Sequence, residues 1–303
     1  MITPEYIKPG DCIGIPAPAK NIDPELVDNA VKVLENKGFR VKLSNHVKDK
    51  YFRFSGTDET RTADFQQMLN DPEVKMILCA RGGYGAIRIV DRLDFSHFIK
   101  KPKWIAGFSD ITVLSCHISS LFGIESLHST MPLYFEKSGQ ADPNLDTLLQ
   151  AVTGLKIGYQ IDVHPLNRPG EANGSLTGGN AAIVASLAGS RSQIETAGKI
   201  LFLEDVGEKY YRFDRIMITM KRAGMFDKLA GLVVGTLSDM EDDHDPGFGL
   251  LVEEIVLDAV SGLNFPVCFG FPAGHTHLNR ALIMGREATL KVSKLSTLDF
   301  IQK

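Results

Sequence analysis

Cysteine is scarce in this chain: there are four in 303 residues, and no two stand at the C-x-x-C spacing. That excludes a disulfide framework and a thiolate zinc site. Cys12, Cys79, Cys116 and Cys268 read instead as free thiols, three of them in apolar contexts that would bury them. Long hydrophobic runs are missing too. None approaches the roughly 20 residues that a membrane-spanning helix needs. The opening segment Met1-Ile2-Thr3-Pro4-Glu5-Tyr6 has neither the basic region nor the apolar stretch of a secretory signal. The expectation is a soluble, cytoplasmic protein with no membrane partner. Nor does charge of one sign dominate: 33 basic residues stand against 37 acidic ones, for a net charge of −4, with no basic run or arginine–aromatic alternation. Nucleic acid is therefore not an expected partner. The G-x-G-x-x-G fingerprint, the lysine-bearing phosphate loop and the H-E-x-x-H motif are all absent, so no cofactor and no metal are expected. What remains as partner is a small molecule, with a second copy of the chain, as a homodimer, left open.

What is present is an alternation of apolar strands and amphipathic helices. Cys12 to Ile15 reads as a buried strand, and Asp23-Pro24 opens a helix with Leu26, Ala30, Val33 and Leu34 on one face, closed by Gly38. Phe39 to Leu43 and Lys75 to Cys79 are further strands, separated by a helix that Thr57-Asp58 caps and that carries Phe65, Met68 and Leu69. A helix after Tyr84 is expected to bury Ile87, Val90 and Leu93; another, after Ser109, places Leu114, Ile118 and Leu121 at helical spacing. This is the grammar of an α/β fold, flavodoxin-like or Rossmann-like, with a mainly parallel sheet. Around 156–172 the pattern loosens into glycine, proline and polar residues, which we read as a linker between an N-terminal domain, 1–155, and a C-terminal one, 173–303. The second is expected to be mixed α/β and rich in strands.

Two glycine turns stand out in the first domain. In Gly107-Phe108-Ser109-Asp110 a buried strand turns sharply into a helix. A serine at such a turn projects its hydroxyl out of the fold, while the amides of the new helix point to the same spot. The plainer reading is a helix cap, since serine and aspartate are preferred there. The turn also lacks the second glycine of G-x-S-x-G. The other turn is Arg81-Gly82-Gly83-Tyr84-Gly85. It can cradle a phosphate, satisfy a need for positive φ, or lend a backbone N–H to an oxyanion together with the Asp110 amide. Arg81 suits a substrate carboxylate or an internal acid equally well.

A serine nucleophile needs a base, and histidine is the usual one. Of eight histidines, His46, His97, His117 and His164 lie in patterned elements or polar loops. His128 ends a run that can line a cleft, and His244 sits in an acidic cluster better read as an exposed loop. His275 ends Phe269-Gly270-Phe271-Pro272-Ala273-Gly274-His275, an apolar strand closing in a glycine turn, where catalytic groups commonly sit. His277, two residues on, invites a two-histidine metal site that no carboxylate at ligand spacing supports. The carboxylate that would hold the imidazole is Glu204 or Asp205, both at the end of the strand Ile200 to Leu203; spacing does not choose between them.

In this order, Gly56-Thr57-Asp58 with Arg61 and Asp64, Ala80-Arg81-Gly82-Gly83-Tyr84-Gly85, Gly107-Phe108-Ser109-Asp110-Ile111-Thr112, Gly178-Gly179-Asn180, Leu203-Glu204-Asp205, Asp214-Arg215 and Gly274-His275 resemble the LD-carboxypeptidase family of serine peptidases. That family includes muramoyltetrapeptide carboxypeptidases and microcin C immunity-type peptidases. The resemblance implies that Ser109 is the nucleophile, His275 the base, Glu204 the orienting carboxylate, and Gly83 and Asp110 the oxyanion donors; Arg81 and Tyr84 are separate candidates for binding substrate. It further implies release of a C-terminal D-amino acid from a small murein peptide, in peptidoglycan recycling. The chain departs from the family pattern at Ala17-Pro18-Ala19, where the third residue is usually serine, and at His128-Ser129-Thr130-Met131, usually His-Gly-Pro-Met. Met284 stands where a proline is common. A non-enzymatic peptide-binding module and a metal-dependent hydrolase built on His275 and His277 are the competing classes.

Overall fold

The computed structural model describes residues 1–242 and 245–302. In its first half, strands β1 (Cys12–Ile15), β2 (Arg40–Leu43), β3 (Val74–Leu78), β4 (Trp104–Ala106) and β5 (Ser126–His128) alternate with helices. These are α1 (Pro24–Asn36), α2 (Asp58–Asn70), α3 (Ala86–Ile89), α4 (Ser96–Lys100), α5 (Thr112–Phe122) and α6 (Pro143–Val152). The caps follow the sequence: the Asp23 side chain accepts from the Glu25 amide at the head of α1, and Thr57 accepts from Thr60 at the head of α2. The five strands are parallel, in the order β2-β1-β3-β4-β5. That is the flavodoxin-like order, which reverses direction between β1 and β3 and opens a crevice beyond the carboxyl ends of those strands.

The second half supplies β6 (Gly158–Ile161), β7 (Gly170–Asn180), β8 (Ile200–Val206), β9 (Gly231–Ser238), β10 (Val267–Cys268), β11 (Leu282–Met284), β12 (Glu287–Val292) and β13 (Ser296–Phe300), with α7 (Ala181–Ser186), α8 (Tyr210–Arg222) and α9 (Val252–Ala259). Its sheet is mixed, in the order β10-β9-β8-β7-β12-β13-β6. β7 to β10 run parallel and the remainder antiparallel. The halves are not cleanly separable, because β11 crosses back to pair antiparallel with β5 at the edge of the first sheet. Both main apolar clusters draw on both halves: Phe65, Phe108 and Leu114 share one with Phe213 and Phe226, and Trp104 shares the other with Phe202 and Phe271.

Three expectations need correction. The stretch 156–172 is not a bare linker, for it contains β6 and the start of β7. Second, Gly178-Gly179-Asn180, whose glycines read in sequence as a turn before a helix, is the end of the strand β7. One of them, Gly178, faces the backbone of β8 so closely that a Cβ would lie 2.0 Å from the Phe202 carbonyl oxygen. Third, Ile87 is exposed, because α3 is a single turn that buries Ala86 and Ile89 before tightening into a 3₁₀ turn at Val90–Arg92.

All four cysteines are free and buried. Among the described residues no helix is long and apolar enough to cross a membrane.

Candidate active site

Ser109 follows β4 at the carboxyl edge of the first sheet, in a 3₁₀ turn that leads into α5. Its φ is +61°, a left-handed value that a non-glycine residue adopts only where the surroundings impose it. The strain turns the serine out at the tip of the turn. The Arg81–Gly85 turn, at the end of β3, packs directly against it: a Cβ on Gly82 would stand 3.0 Å from Ser109 Cβ, 3.2 Å from the Phe108 carbonyl oxygen and 3.3 Å from the Asp110 amide nitrogen. A side chain there would push the two turns apart by a few tenths of an ångström. The Asp110 carboxylate points inward, accepting from the Ala86 amide at 2.8 Å, and burial raises its pKa. Arg61, fully buried, donates to the Gly85 carbonyl at 3.0 Å and pairs with Asp58 at 2.6 Å. The Arg81–Gly85 turn is thus tied to the Ser109 turn through the Asp110 carboxylate and held from behind by Arg61.

The other half brings an acid and an imidazole. Glu204, on β8, is wholly buried, and its Oε2 lies 2.7 Å from Nδ1 of His275. The loop carrying His275 is pinned to the end of β9: the Thr236 amide donates to the Ala273 carbonyl at 3.0 Å, and the Ser238 hydroxyl to the His275 carbonyl at 2.9 Å. A side chain at Gly274 would meet Glu204 Oε2 at 2.8 Å, so this loop reaches the carboxylate only because residue 274 is glycine. The Phe108 ring packs on the His275 imidazole, with centroids 4.8 Å apart. Asp205, the alternative acid, is otherwise engaged. Its carboxylate accepts from Asn180 Nδ2 at 3.0 Å and from the Ala182 amide at 2.8 Å, and burial pushes it up to about 6. Asn180 in turn donates its amide to Thr112 Oγ1 at 3.2 Å. This chain of contacts joins the helix behind Ser109 to the strand that bears Glu204.

Ser109, His275, Arg81, Gly82 and Gly83 line one cavity of about 90 Å³, together with Met131, Leu133 and Tyr134. It adjoins a wider one of about 360 Å³, bounded by Phe108, Tyr134, Val206, Asp239 and His277, with His275 and Tyr134 common to both. Arg81 is half-buried, and its guanidinium donates to the Asn21 carbonyl at 2.9 Å. Tyr84 is not among the lining residues; it leans toward Phe54 on the outer side. The aromatic that does line both cavities, Tyr134, belongs to no motif, and only its position after Met131-Pro132 hinted at a cleft wall. His277 is exposed, and among the described residues no three histidine, cysteine or acidic side chains gather as a metal set. His244 lies outside the described residues.

Comparison with known proteins gives the family of the chain. The chain matches the LD-carboxypeptidase N-terminal domain over residues 13–129 and the LD-carboxypeptidase C-terminal domain over residues 173–290. It belongs to the LD-carboxypeptidase family. A probable murein peptide carboxypeptidase of Bacillus subtilis is 33% identical over 96% of this chain and 92% of its own length. The crystal structure of a muramoyltetrapeptide carboxypeptidase from Oxalobacter formigenes superposes with a TM-score of 0.87 at 28% identity, covering 95% of this chain and 98% of that one. The microcin C7 self-immunity protein MccF of Escherichia coli is 26% identical over 91% of this chain and 89% of its own. As a member of this family, the protein is a serine-type carboxypeptidase.

Proposed function

We propose that this LD-carboxypeptidase hydrolyses the L,D-peptide bond of murein tetrapeptides in the cytoplasm, releasing C-terminal D-alanine during peptidoglycan recycling. The observation that carries the reading is the meeting of Ser109 and His275 on one small cavity, with Glu204 bonded to the far nitrogen of the same imidazole. With Nδ1 engaged by the carboxylate, Nε2 is the nitrogen left to accept the Ser109 proton. Ser109 Oγ then attacks the scissile carbonyl carbon. The resulting oxyanion is held by the Gly83 and Asp110 amides, a role supported by the close packing of the two glycine turns that carry them. His275 returns its proton to the leaving amine, and D-alanine departs. A water molecule, deprotonated by His275, hydrolyses the acyl-enzyme and restores Ser109. A cavity of about 90 Å³ suits a residue of alanine size, and Arg81 on its wall supplies the cation for a free C-terminal carboxylate. Tyr84 contributes at the outer rim.

Mass spectrometry of products from murein tri-, tetra- and pentapeptides, with wild type beside Ser109→Ala, tests the reading. Loss of one D-alanine from the tetrapeptide by wild type alone is the expected result; equal rates from the two proteins would end it. A peptide linked to a nucleotide is the second reading, favoured by the half-exposed Tyr134 ring on the wider cavity, where a base can stack. Under that reading Tyr134→Ala weakens the nucleotide-linked substrate selectively.

A further inference from the structure

Beneath the His275–Glu204 pair lies a second histidine that the mechanism above leaves unused. His128 ends β5 and is 3% exposed. Its ring lies against Phe108 and Phe202, with centroids 5.6 and 4.9 Å away. Phe108 also packs on His275, at 4.8 Å, and on Tyr134, at 5.4 Å, while Phe202 stands two residues before Glu204 on β8. The rings that enclose His128 therefore flank both the acid and the base.

Two buried polar atoms here have no protein partner: Nε2 of His128 and Oε1 of Glu204. A neutral imidazole nitrogen can carry a proton to give, and an ionised carboxylate oxygen can only accept. Buried polar groups in native proteins are matched as a rule, so two complementary ones in a single nest call for an account. Burial pushes His128 down to about 4, with the Glu204 carboxylate opposing that shift and His275 reinforcing it. At neutral pH the ring is uncharged, and it places no second positive charge beside His275.

We infer that His128 is a positioning residue: its neutral ring donates from Nε2 through one bridging water to Oε1 of Glu204, and so fixes the carboxylate whose Oε2 holds His275. A carboxylate anchored through one oxygen alone can rotate about its Cγ–Cδ bond and let the imidazole swing. Anchored through both, it holds the base at the angle that Ser109 requires. The inference rests on the proposed function only for the role of Glu204.

Two measurements test it. On wild-type protein labelled with ¹⁵N at histidine, His128 should carry its proton on Nε2 from pH 5 to pH 9; a proton on Nδ1 would overturn the inference whether or not the protein turns over murein peptides. In D-alanine release, His128→Phe should lower kcat roughly 10- to 100-fold, the loss of one hydrogen bond to a charged group, with KM unchanged. His128→Gln, which keeps an N–H donor, should recover most of that loss. The low-field His275 Nδ1 proton resonance should move in the first variant and return in the second. Folded variants with wild-type kcat and an unmoved resonance would sink the role of His128. Failure of wild type itself to release D-alanine counts instead against the proposed substrate, and the two resonances still decide the inference.

Discussion

The two sides of the cleft are built by different means. On the Ser109 side, function is set by backbone: a serine at φ +61° stands where two turns pack so closely that a methyl group on Gly82 would press on it. On the Glu204 side it is set by side chains: a fully buried carboxylate bonded to an imidazole 71 positions along the chain. A strained turn is local, because neighbouring residues dictate its geometry. An acid–imidazole pair has no meaning until the tertiary fold brings its members together. Damage should differ accordingly, with backbone changes misplacing the nucleophile and side-chain changes leaving the geometry intact while removing the base.

The largest expected effect is that of Ser109→Ala, which should fold normally and lose about 10⁶-fold in kcat, as serine triads do. Glu204→Gln tests the opposite side. It keeps shape and volume but loses the charge that stabilises the imidazolium, and kcat should fall about 10⁴-fold with thermal stability little changed. A smaller drop would mean that His275 does not depend on this carboxylate.

Gly82→Ala probes the backbone side without touching any reacting group. Displacing Ser109 by a few tenths of an ångström should lower kcat/KM, by less than the roughly 10²-fold that a displacement of about 1 Å costs, and wild-type kinetics would show that the tight packing is incidental. Thr112→Val breaks the link between the sides and leaves the Asn180 amide buried without an acceptor. A loss of about 1–3 kcal/mol in chemical denaturation is expected.

The smallest effect concerns pH. Since the His128 pKa is lowered from 6.5 to about 4, the unfolded chain binds more protons than the folded one between those values. The contribution of His128 to stability is therefore present above pH 6.5 and fades as pH falls toward 4. Thermal melts across that window should show a shallower acid decline for His128→Gln than for wild type. Identical slopes would contradict the burial of a neutral ring.

Much of the first half was legible because its elements are continuous in sequence. The Asp23 and Thr57 caps, the buried strands at Cys12 and Val74, and the glycine turns at Gly82 and Gly107 each announce themselves within a few residues. The second half was harder to read. β7 carries glycines where the backbone of β8 leaves no space, so the end of this long central strand, Gly178-Gly179-Asn180, looked like a turn. β11 is three residues long and finds its partner, β5, across more than half the chain. Tyr134 lines both cavities without belonging to any motif, since lining a cleft is a property of position.

The sequence by itself determined that a serine would stand at a strand-to-helix turn, that a second glycine turn would follow an earlier strand, and that an α/β fold would carry both. Glycine spacing and apolar periodicity act through bonds and near neighbours, which a linear chain displays. Spacing left Glu204 and Asp205 as equals, and only the family resemblance preferred Glu204. The tertiary structure gives the physical difference, directing Asp205 to the Asn180 side chain and the head of α7, and Glu204 to His275. Adjacent residues on a strand point to opposite faces, and which face meets the imidazole depends on how distant strands and loops pack.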